Sequence, residues 1–339
     1  MNEYEISDNK INSKYVNRFL ILIIIFFIIY IVKIKIEIIN FENKDELLQK
    51  CYQSRAYYYS QSRDNEMKKY NLSYNDSNLI TIQDKINYLT IHECPDYKTN
   101  IADKIKLHDY SKEKLGKDIC VPIIKIYNNS SEIKLEELPN KFVLKCNHGS
   151  GMNILCKNKN NFNLTQAKIL LNEWVNINFG TKMSEFQYIN IKRKIFAEIY
   201  LKDNIEDYKI YCFHGIPKFV RVQKNNDKAI GKINNYYDLD WNLTEIETGM
   251  PFIARRPDII FEKPKNFKLM LLYAKKLSKE FLFVRVDFYN INGKIYLGEM
   301  TFSPSNIRFL MKNYDQSVSI GKLIDLSKLK KNIFNKKCN

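Results

Sequence analysis

The sequence predicts a mixed fold of α-helices and β-strands behind an apolar N-terminal segment. Strand-like runs rich in β-branched and aromatic residues, such as "DYKIYCFHGIPKFVRVQ" (207–223), occur in the second half of the chain. Runs with helical periodicity, such as "NFKLMLLYAKKLSKEF" (266–281), lie between them. The chain has 339 residues, of which 45% are hydrophobic, so it is long and apolar enough to bury a core.

An unbroken run of 14 apolar residues, 19–32, is the strongest topological signal. As a helix it is about 21 Å long, and extension to residue 39 gives about 31 Å, which matches a bilayer core. Lys33 and Lys35 lie near the end of this segment, where their ammonium groups can reach the interface. No small-residue cleavage site follows, so we expect a membrane anchor over 19–40 instead of a signal peptide or a buried helix.

The chain is basic, with a net charge of +16 at pH 7 and a pI near 9.3. A nucleic-acid-binding surface concentrates Lys and Arg in a patch or stripe. Here the lysines are interspersed with Asp and Glu and arginine is scarce, so no nucleic-acid partner is expected. The 7 cysteines are scattered without a CxxC pair, which is typical of a reducing compartment.

Local patterns predict the elements that precede the last hairpin. "IQDKINYLTIHECP" (82–95) and "DKIKLHDYSKEKLG" (103–116) predict helices, the second of which ends at Gly116. "KFVLKCNHGSGMNILCKNK" (141–159) predicts two strands around a glycine loop, and "LTQAKILLNEWVNINF" (164–179) predicts another helix. The last 30 residues are rich in lysine and predict a loose tail.

The last hairpin, "VRVDFYNINGKIYLGEM", carries one acid on each strand, Asp287 and Glu299. Side chains alternate faces along a strand, so the length of the loop decides whether the acids share a face. A three-residue loop ending at Gly293, which we expect, places Leu297 opposite Asp287 and Glu299 diagonally on the same face. A two-residue loop would place them on opposite faces. On a shared face, the two acids could hold a hard cation such as Mg²⁺. Alternatively, they could lie solvated on an exposed sheet face beside Arg285.

A glycine loop, His148-Gly149-Ser150-Gly151, follows the strand that contains Lys145. Glycines let backbone amides approach a phosphate, and the lysine offers a mobile positive charge. The spacing is not that of a Walker motif, and an ordinary hairpin turn explains the loop as well.

Two later strands carry charged side chains in apolar surroundings. Glu198 is the lone acid of "IFAEIYL" (195–201), where it could accept a hydrogen bond from an adenine amino group or a ribose hydroxyl, or be a charge at a sheet edge. Asp207 and Lys209 are two residues apart, so they share a face if their segment is a strand.

The order of these parts is more informative than any one of them. A lysine with a glycine loop, a strand Glu, an Asp-x-Lys strand and an Asp…Glu-x-Thr hairpin resemble the ATP-grasp fold, and specifically the TupA-like ATP-grasp proteins of bacterial surface-polysaccharide clusters. The resemblance runs from about residue 84 to about residue 310. Its most specific stretches are "ADKIKLHDYSKEKLG", "LPNKFVLKCNHGSGMNILC", "DYKIYCFHGIPKFV", "YYDLDWNL" and "LSKEFLFVRVDFYNINGKIYLGEMTFSP".

The resemblance implies an α+β fold in which two α+β subdomains clasp a nucleotide, behind the transmembrane helix. The boundaries that we expect are an N-terminal tail (1–18), the anchor (19–40), a juxtamembrane linker (41–83), the N-terminal portion of the catalytic domain (84–140), the ATP-grasp domain (141–310, with subdomains at about 141–200 and 201–310) and a C-terminal tail (311–339).

The resemblance also implies roles for individual residues. ATP is the expected cofactor, with one or two Mg²⁺ ions. The implied catalytic residues are Lys209 and Arg285, the implied nucleotide contacts are Lys145, His148, Gly149, Ser150, Gly151, Glu198 and Asp207, and the implied metal ligands are Asp287, Glu299 and Thr301. Thr301 stands where relatives have Asn, and Ser305 stands where the family has glycine.

The implied reaction is ATP-dependent ligation of a carboxylate to an amine through an acyl phosphate. The substrates would belong to a glycan or a lipid-linked glycan precursor, at the cytoplasmic face of the inner membrane. One alternative is a glycosyltransferase of the same pathway, because Asp238-Leu239-Asp240 forms a DxD motif, although a turn capped by Asp explains that motif too. The other alternative is a membrane-anchored nucleotide-binding protein with impaired catalysis.

Overall fold

A computed structural model describes residues 23–33, 80–93, 96–225, 232–248, 253–307 and 311–329. Residues 23–33 form a helix, α1, whose apolar side chains are exposed. No helix among these described residues is both long enough and apolar enough to cross a membrane. The predicted anchor, 19–40, extends past this helix at both ends into residues outside the described part. The predicted tail, 1–18, and most of the predicted linker, 41–83, also lie outside it.

The first sheet of the folded body has four antiparallel strands: β1 (Ile123–Tyr127), β2 (Phe142–Cys146), β3 (Asn153–Cys156) and β4 (Ile195–Ile199). Their order is β1-β4-β2-β3. Helix α5 (Leu164–Asn176) covers one face of the sheet, and its N-terminus is capped by the Asn163 side chain, which accepts a hydrogen bond from Gln166 N. The predicted strands around the glycine loop and the helix after them are confirmed.

The second sheet has six strands: β5 (Asp207–Phe213), β6 (Ile216–Asn225), β7 (Lys232–Tyr237), β8 (Ile253–Ala254), β9 (Phe283–Ile291) and β10 (Lys294–Thr301). Their order is β10-β9-β5-β6-β7-β8, and every neighbouring pair is antiparallel except β7 and β8. Helix α7 (Phe267–Ser278) packs on one face of this sheet and buries Met270, Ala274 and Leu277 against it. Two mainly antiparallel sheets with helices on them confirm the α+β class.

The other helices of the body are α2 (Ile82–His92), α3 (Asp96–Ala102), α4 (Leu107–Leu115), α6 (Phe179–Met183) and α8 (Tyr314–Gly321). Helix α4 ends at Gly116, which has the left-handed φ of 74° that favours glycine, as predicted. Helix α8 lies inside the predicted C-terminal tail and packs on α2. The tail prediction is therefore corrected as far as residue 329, because Ile320 and Ile324, four residues apart, are buried against α2.

The hairpin of β9 and β10 corrects the expected loop. Ile291 pairs with Lys294, so the loop has two residues, Asn292 and Gly293, with φ of 52° and 80°. An Asn-Gly pair favours this turn because both positions need a positive φ. A β-bulge at Gly298 then shifts the register by one residue, so Glu299 pairs directly with Asp287. The acids share a face, as the three-residue loop would have given, but through the bulge.

Candidate functional site

One face of the six-stranded sheet carries a line of polar side chains that we call the polar row. Strand pairing places its members side by side across five strands: Glu299, Asp287, Lys209, Arg221 and Tyr236. The opposite face holds the apolar residues that pack against α7. Because side chains alternate along each strand, one sheet supplies both a core and a polar surface.

Asp287 is the most heavily bonded member of the polar row. It is 2% exposed. Arg285 donates to it twice, from Nε to Oδ1 and from Nη2 to Oδ2, at 2.6 Å each. Lys209 Nζ donates to Oδ2 at 2.7 Å and also forms an ion pair with Asp207. Burial raises the pKa of Asp287, while Arg285 and Lys209 act in the opposite direction.

Glu299 lies beside this pair and is more open, with 31% of its side chain exposed. Its Oε1 accepts hydrogen bonds from Arg285 Nη2 and from Thr301 Oγ1, both at 3.1 Å. Burial raises the pKa of Glu299, but the charges of Lys104, Arg285 and Lys209 outweigh burial and hold it well below its usual range. Glu299 is therefore ionised at neutral pH. Thr301 orients this carboxylate in the structure.

The four-stranded sheet contributes a second charged pair, Lys145 and Glu198, which form an ion pair. Both line a cavity of about 240 Å³ that also touches Tyr200, Leu201 and Tyr289. The lining residues come from both sheets and from the segment that connects β4 to β5. Tyr289 lies two residues from Asp287 on the same face of β9, so Lys145 and Glu198 face the part of the second sheet next to the polar row, although in the sequence they are far apart.

Lys104 is the site residue that sequence reasoning missed. Its Nζ donates to Gly149 O of the glycine loop, and its charge lowers the pKa of Glu299 on the other sheet. Burial in turn lowers the pKa of Lys104. Asn147 holds this segment in place, since its Nδ2 donates to Asp103 Oδ1 at 2.9 Å and its carbonyl accepts from Lys104 N at 3.2 Å.

The glycine loop is fastened by His148. Its ring is buried, and Nε2 lies 3.2 Å from the carbonyl oxygens of Trp174 and Ile177 at the end of α5. Burial lowers the pKa of His148 to about 4, so the ring is neutral at pH 7. A Cβ at Gly149 would lie 2.8 Å from the ring of Phe179, so only glycine fits there. The loop residues open to solvent are Ser150 and Gly151.

The DxD motif forms a turn. Asp238 Oδ1 accepts from the backbone N of Asp240 at 2.9 Å and of Asn242 at 2.7 Å, and Oδ2 accepts from Asn242 Nδ2 at 2.8 Å. These bonds favour the capped turn over a metal site for a nucleotide sugar.

Ser305, in the loop after β10, has a φ of 56°. A glycine would adopt this left-handed conformation without strain, so the backbone at Ser305 favours a glycine.

Comparison with known proteins gives the family. A model of the TupA-like ATP-grasp family matches residues 81–324. Solved structures that match include D-alanine–D-alanine ligase from Bacillus anthracis with ATP (16% identity, 60% of this chain, 55% of that chain, TM-score 0.36). Another is D-alanine–D-alanine ligase from Helicobacter pylori (14% identity, 66% of this chain, 58% of that chain, TM-score 0.36). A third is L-amino acid ligase from Bacillus licheniformis (13% identity, 59% of this chain, 42% of that chain, TM-score 0.36).

These overlaps are partial, since the chain spans 55% of the first of these ligases. No protein with a curated description matches the sequence. The family match, in contrast, extends over well more than half of the chain and agrees with the order of the parts in the cleft. The chain belongs to the TupA-like ATP-grasp family.

Proposed function

We propose that this protein is an ATP- and Mg²⁺-dependent carboxylate–amine ligase that forms an amide through an acyl phosphate. The observation that carries the proposal is the pairing of Asp287 with Glu299 on one face of the sheet, next to Lys209. Lys145 and Glu198 line a cavity together with Tyr289, which lies on the same face of β9 as Asp287. Family membership supports ATP as the nucleotide.

The donor set fits a magnesium ion. Carboxylate oxygens are the ligands that Mg²⁺ prefers, and each has two lone pairs. Asp287 Oδ1 accepts one described hydrogen bond, from Arg285, and Glu299 presents its carboxylate at the open end of the polar row. Asp287 and Glu299 would hold the ion, with Arg285 still orienting both of them. Bound there, the metal would neutralise charge on the phosphates of ATP.

The reaction needs positioning and charge more than a nucleophilic side chain. Lys209, Lys145 and Lys104 would bind phosphate oxygens, and the glycine loop would cover them. An oxygen of the substrate carboxylate attacks the γ-phosphorus, and the bond from this phosphorus to the β–γ bridging oxygen breaks to release ADP. The amine nitrogen then attacks the acyl carbon, loses a proton, and displaces inorganic phosphate to leave the amide.

The setting that we propose is the biosynthesis of a cell-surface polysaccharide such as a capsule, lipopolysaccharide or teichuronopeptide-like polymer. The acceptor would be a glycan or a lipid-linked glycan precursor. Exposed apolar side chains on α1 support a membrane anchor over residues 19–40. Because ATP is cytoplasmic, the catalytic domain would face the cytoplasm of a single-pass inner-membrane protein.

Hydroxylamine can replace the unknown amine in a test of this proposal. The full chain, purified in mild detergent, is incubated with Mg-ATP, hydroxylamine and a panel of carboxylates that includes D-glucuronate and D-galacturonate. We expect hydroxamate and ADP in equal amounts from the parent protein, and neither from Glu299→Gln. Glu245→Gln is a matched control, because the Glu245 side chain is 86% exposed and lies outside the cleft.

A parallel incubation with UDP-sugars in place of ATP separates the glycosyltransferase alternative. Release of UDP without formation of ADP would contradict the proposal. Nucleotide binding without any hydroxamate from the panel would count against ligation and favour the impaired binding protein.

A further inference from the structure

Arg221 is a buried cation with no partner for two of its three guanidinium nitrogens. It lies on β6 in the polar row, next to Lys209, and is 4% exposed. Nε and Nη1 have no hydrogen-bond partner within the described part of the chain. Leaving a charged donor buried and unpaired costs a protein stability, so such a group marks a place where a ligand completes the bonding.

The other buried cations of this face, Arg285 and Lys209, already have partners. Arg285 donates to Asp287, Glu299 and Thr301, and Lys209 donates to Asp207 and Asp287. No described carboxylate forms an ion pair with Arg221 within 4.0 Å. Of the described buried cations on this face, Arg221 is therefore the one that keeps donors without a partner for an incoming anion. Lys232 is on the same face of β7, but it is exposed.

The surroundings of Arg221 add another donor. Asn234 is 2% exposed and its Nδ2 also lacks a partner, while its Oδ1 accepts from Gln223 Nε2 at 3.0 Å. Gln223 on β6 pairs with Asn234 on β7, two residues along the strands from the pair of Arg221 and Tyr236 and on the same face. A ligand that bonds to both the Arg221 guanidinium and Asn234 Nδ2 has an anionic group and at least one more oxygen acceptor.

The position of Arg221 within the polar row indicates which anion it receives. Neighbouring strands are about 4.8 Å apart, so the sequence Asp287, Lys209, Arg221 spans about 10 Å. In the proposed reaction the metal ion, the γ-phosphate and the attacking carboxylate must lie next to one another in that spatial order, with the reacting atoms about 3–3.5 Å apart. The order of acid, lysine and arginine along the row matches the order of metal, phosphate and carboxylate.

We propose that Arg221 binds the carboxylate of the substrate that is to be activated, and that this substrate carries further oxygen acceptors near the acid, as a sugar acid does. This inference rests on the proposed ligase function and names the substrate class of the same site. Nε and Nη1 lie on different edges of the guanidinium, so one of them would donate a charge-assisted hydrogen bond to the carboxylate and the other would donate to a further oxygen of the substrate.

The test compares Arg221→Gln and Arg221→Lys with the parent protein, and Arg256→Gln serves as the control. Arg256 is also an arginine, but its side chain is 42% exposed and pairs with Asp258 on the surface. Two readouts are used on the full chain in detergent. One is the melting temperature, measured alone and with a non-hydrolysable Mg-ATP analogue, and the other is KM for D-glucuronate or D-galacturonate in the hydroxylamine assay.

We expect Arg221→Gln to keep the stabilisation by the nucleotide analogue and its KM for ATP, while KM for the carboxylate rises about 10- to 100-fold. The carboxylate KM of Arg221→Lys should lie between those of the parent and Arg221→Gln, and the carboxylate KM of Arg256→Gln should equal that of the parent. The melting temperature of unliganded Arg221→Gln should equal or exceed that of the parent, because an unpaired buried charge is removed.

Two results would overturn the role of Arg221 while the ligase proposal stands. One is a carboxylate KM within twofold of the parent value in both Arg221 variants. The other is a lowered melting temperature together with a lost nucleotide response, which would make Arg221 a structural residue. A parent protein that forms hydroxamate from other carboxylates of the panel, but from no sugar acid, would overturn the substrate class. A parent protein that shows no nucleotide response instead removes the ligase proposal itself.

Discussion

Replacing Asp287 with asparagine should destabilise the unliganded protein far more than replacing Glu299 with glutamine. Asp287 is 2% exposed and accepts two hydrogen bonds from Arg285 at 2.6 Å and one from Lys209 at 2.7 Å. The substitution removes the negative charge that Arg285 and Lys209 share and puts an amide NH2 donor next to their donors; breaking a buried ion pair in this way costs about 3–5 kcal/mol.

Glu299 makes a weaker contribution to the unliganded fold. Its side chain is 31% exposed and contacts Arg285 at 3.1 Å, and a partly exposed pair of this kind contributes about 1 kcal/mol or less. For a body of this size 1 kcal/mol corresponds to about 2–4 °C in Tm. Asp287→Asn should therefore lower Tm by about 10 °C, and Glu299→Gln by about 3 °C or less.

The assay is thermal unfolding of the full chain in detergent, followed by circular dichroism with and without Mg-ATP. Both variants should lose the stabilisation by Mg-ATP that the parent shows, although their unliganded stabilities differ. Equal and small losses of Tm in the two unliganded variants would refute the buried bonding of Asp287. An unchanged nucleotide response in either variant would refute its assignment as a metal ligand.

Three further predictions concern residues around the cleft. Lys104→Met should weaken Mg-ATP binding about 10-fold in calorimetric titration, because one cation is lost beside the phosphates; unchanged affinity would place Lys104 outside the site. His148 has a folded pKa of about 4 against about 6.5 when unfolded, so its share of stability, at most about 3 kcal/mol, is lost as pH falls from about 6.5 to about 4. His148→Gln should flatten the dependence of Tm on pH in that window, and parallel profiles of the two proteins would contradict this. Ser305→Gly should stabilise the protein by up to about 1 kcal/mol in urea unfolding, since φ is 56° there, and a lower urea midpoint would show that the residue is not strained.

The sequence was sufficient for the elements whose signals are local. Helix α4 with its end at Gly116, helix α7 and strands β5, β6, β9 and β10 follow from periodicity and a glycine stop. Strands β7 and β8 were not predicted. The alternation of Asp207, Lys209 and Tyr211 with apolar residues placed the charged side chains on one face, as the strand β5 has them.

Features that depend on contacts between distant segments could not be predicted. The two-residue loop alone would put Asp287 and Glu299 on opposite faces, and the bulge at Gly298 shifts the register by one residue and returns them to the same face. The shared face was therefore predicted correctly although the predicted loop length was wrong. Lys104 enters the site only because Asn147, 43 residues later in the chain, holds its segment. His148 holds the glycine loop in place only because its ring reaches a backbone carbonyl at the end of α5. Likewise, α8 is packed against the body only because α2, more than 200 residues earlier in the chain, lies beside it.

Calorimetric titration of Mg-ATP into the parent protein and into Glu299→Gln tests the central claim most directly, with Glu245→Gln as control. The claim is that two carboxylates on neighbouring strands hold a metal ion on the phosphates of ATP. We predict that the parent and the control bind Mg-ATP with equal affinity, that omission of Mg²⁺ weakens this binding, and that Glu299→Gln loses the effect of Mg²⁺. Equal affinity in all three proteins, with or without Mg²⁺, would contradict the claim.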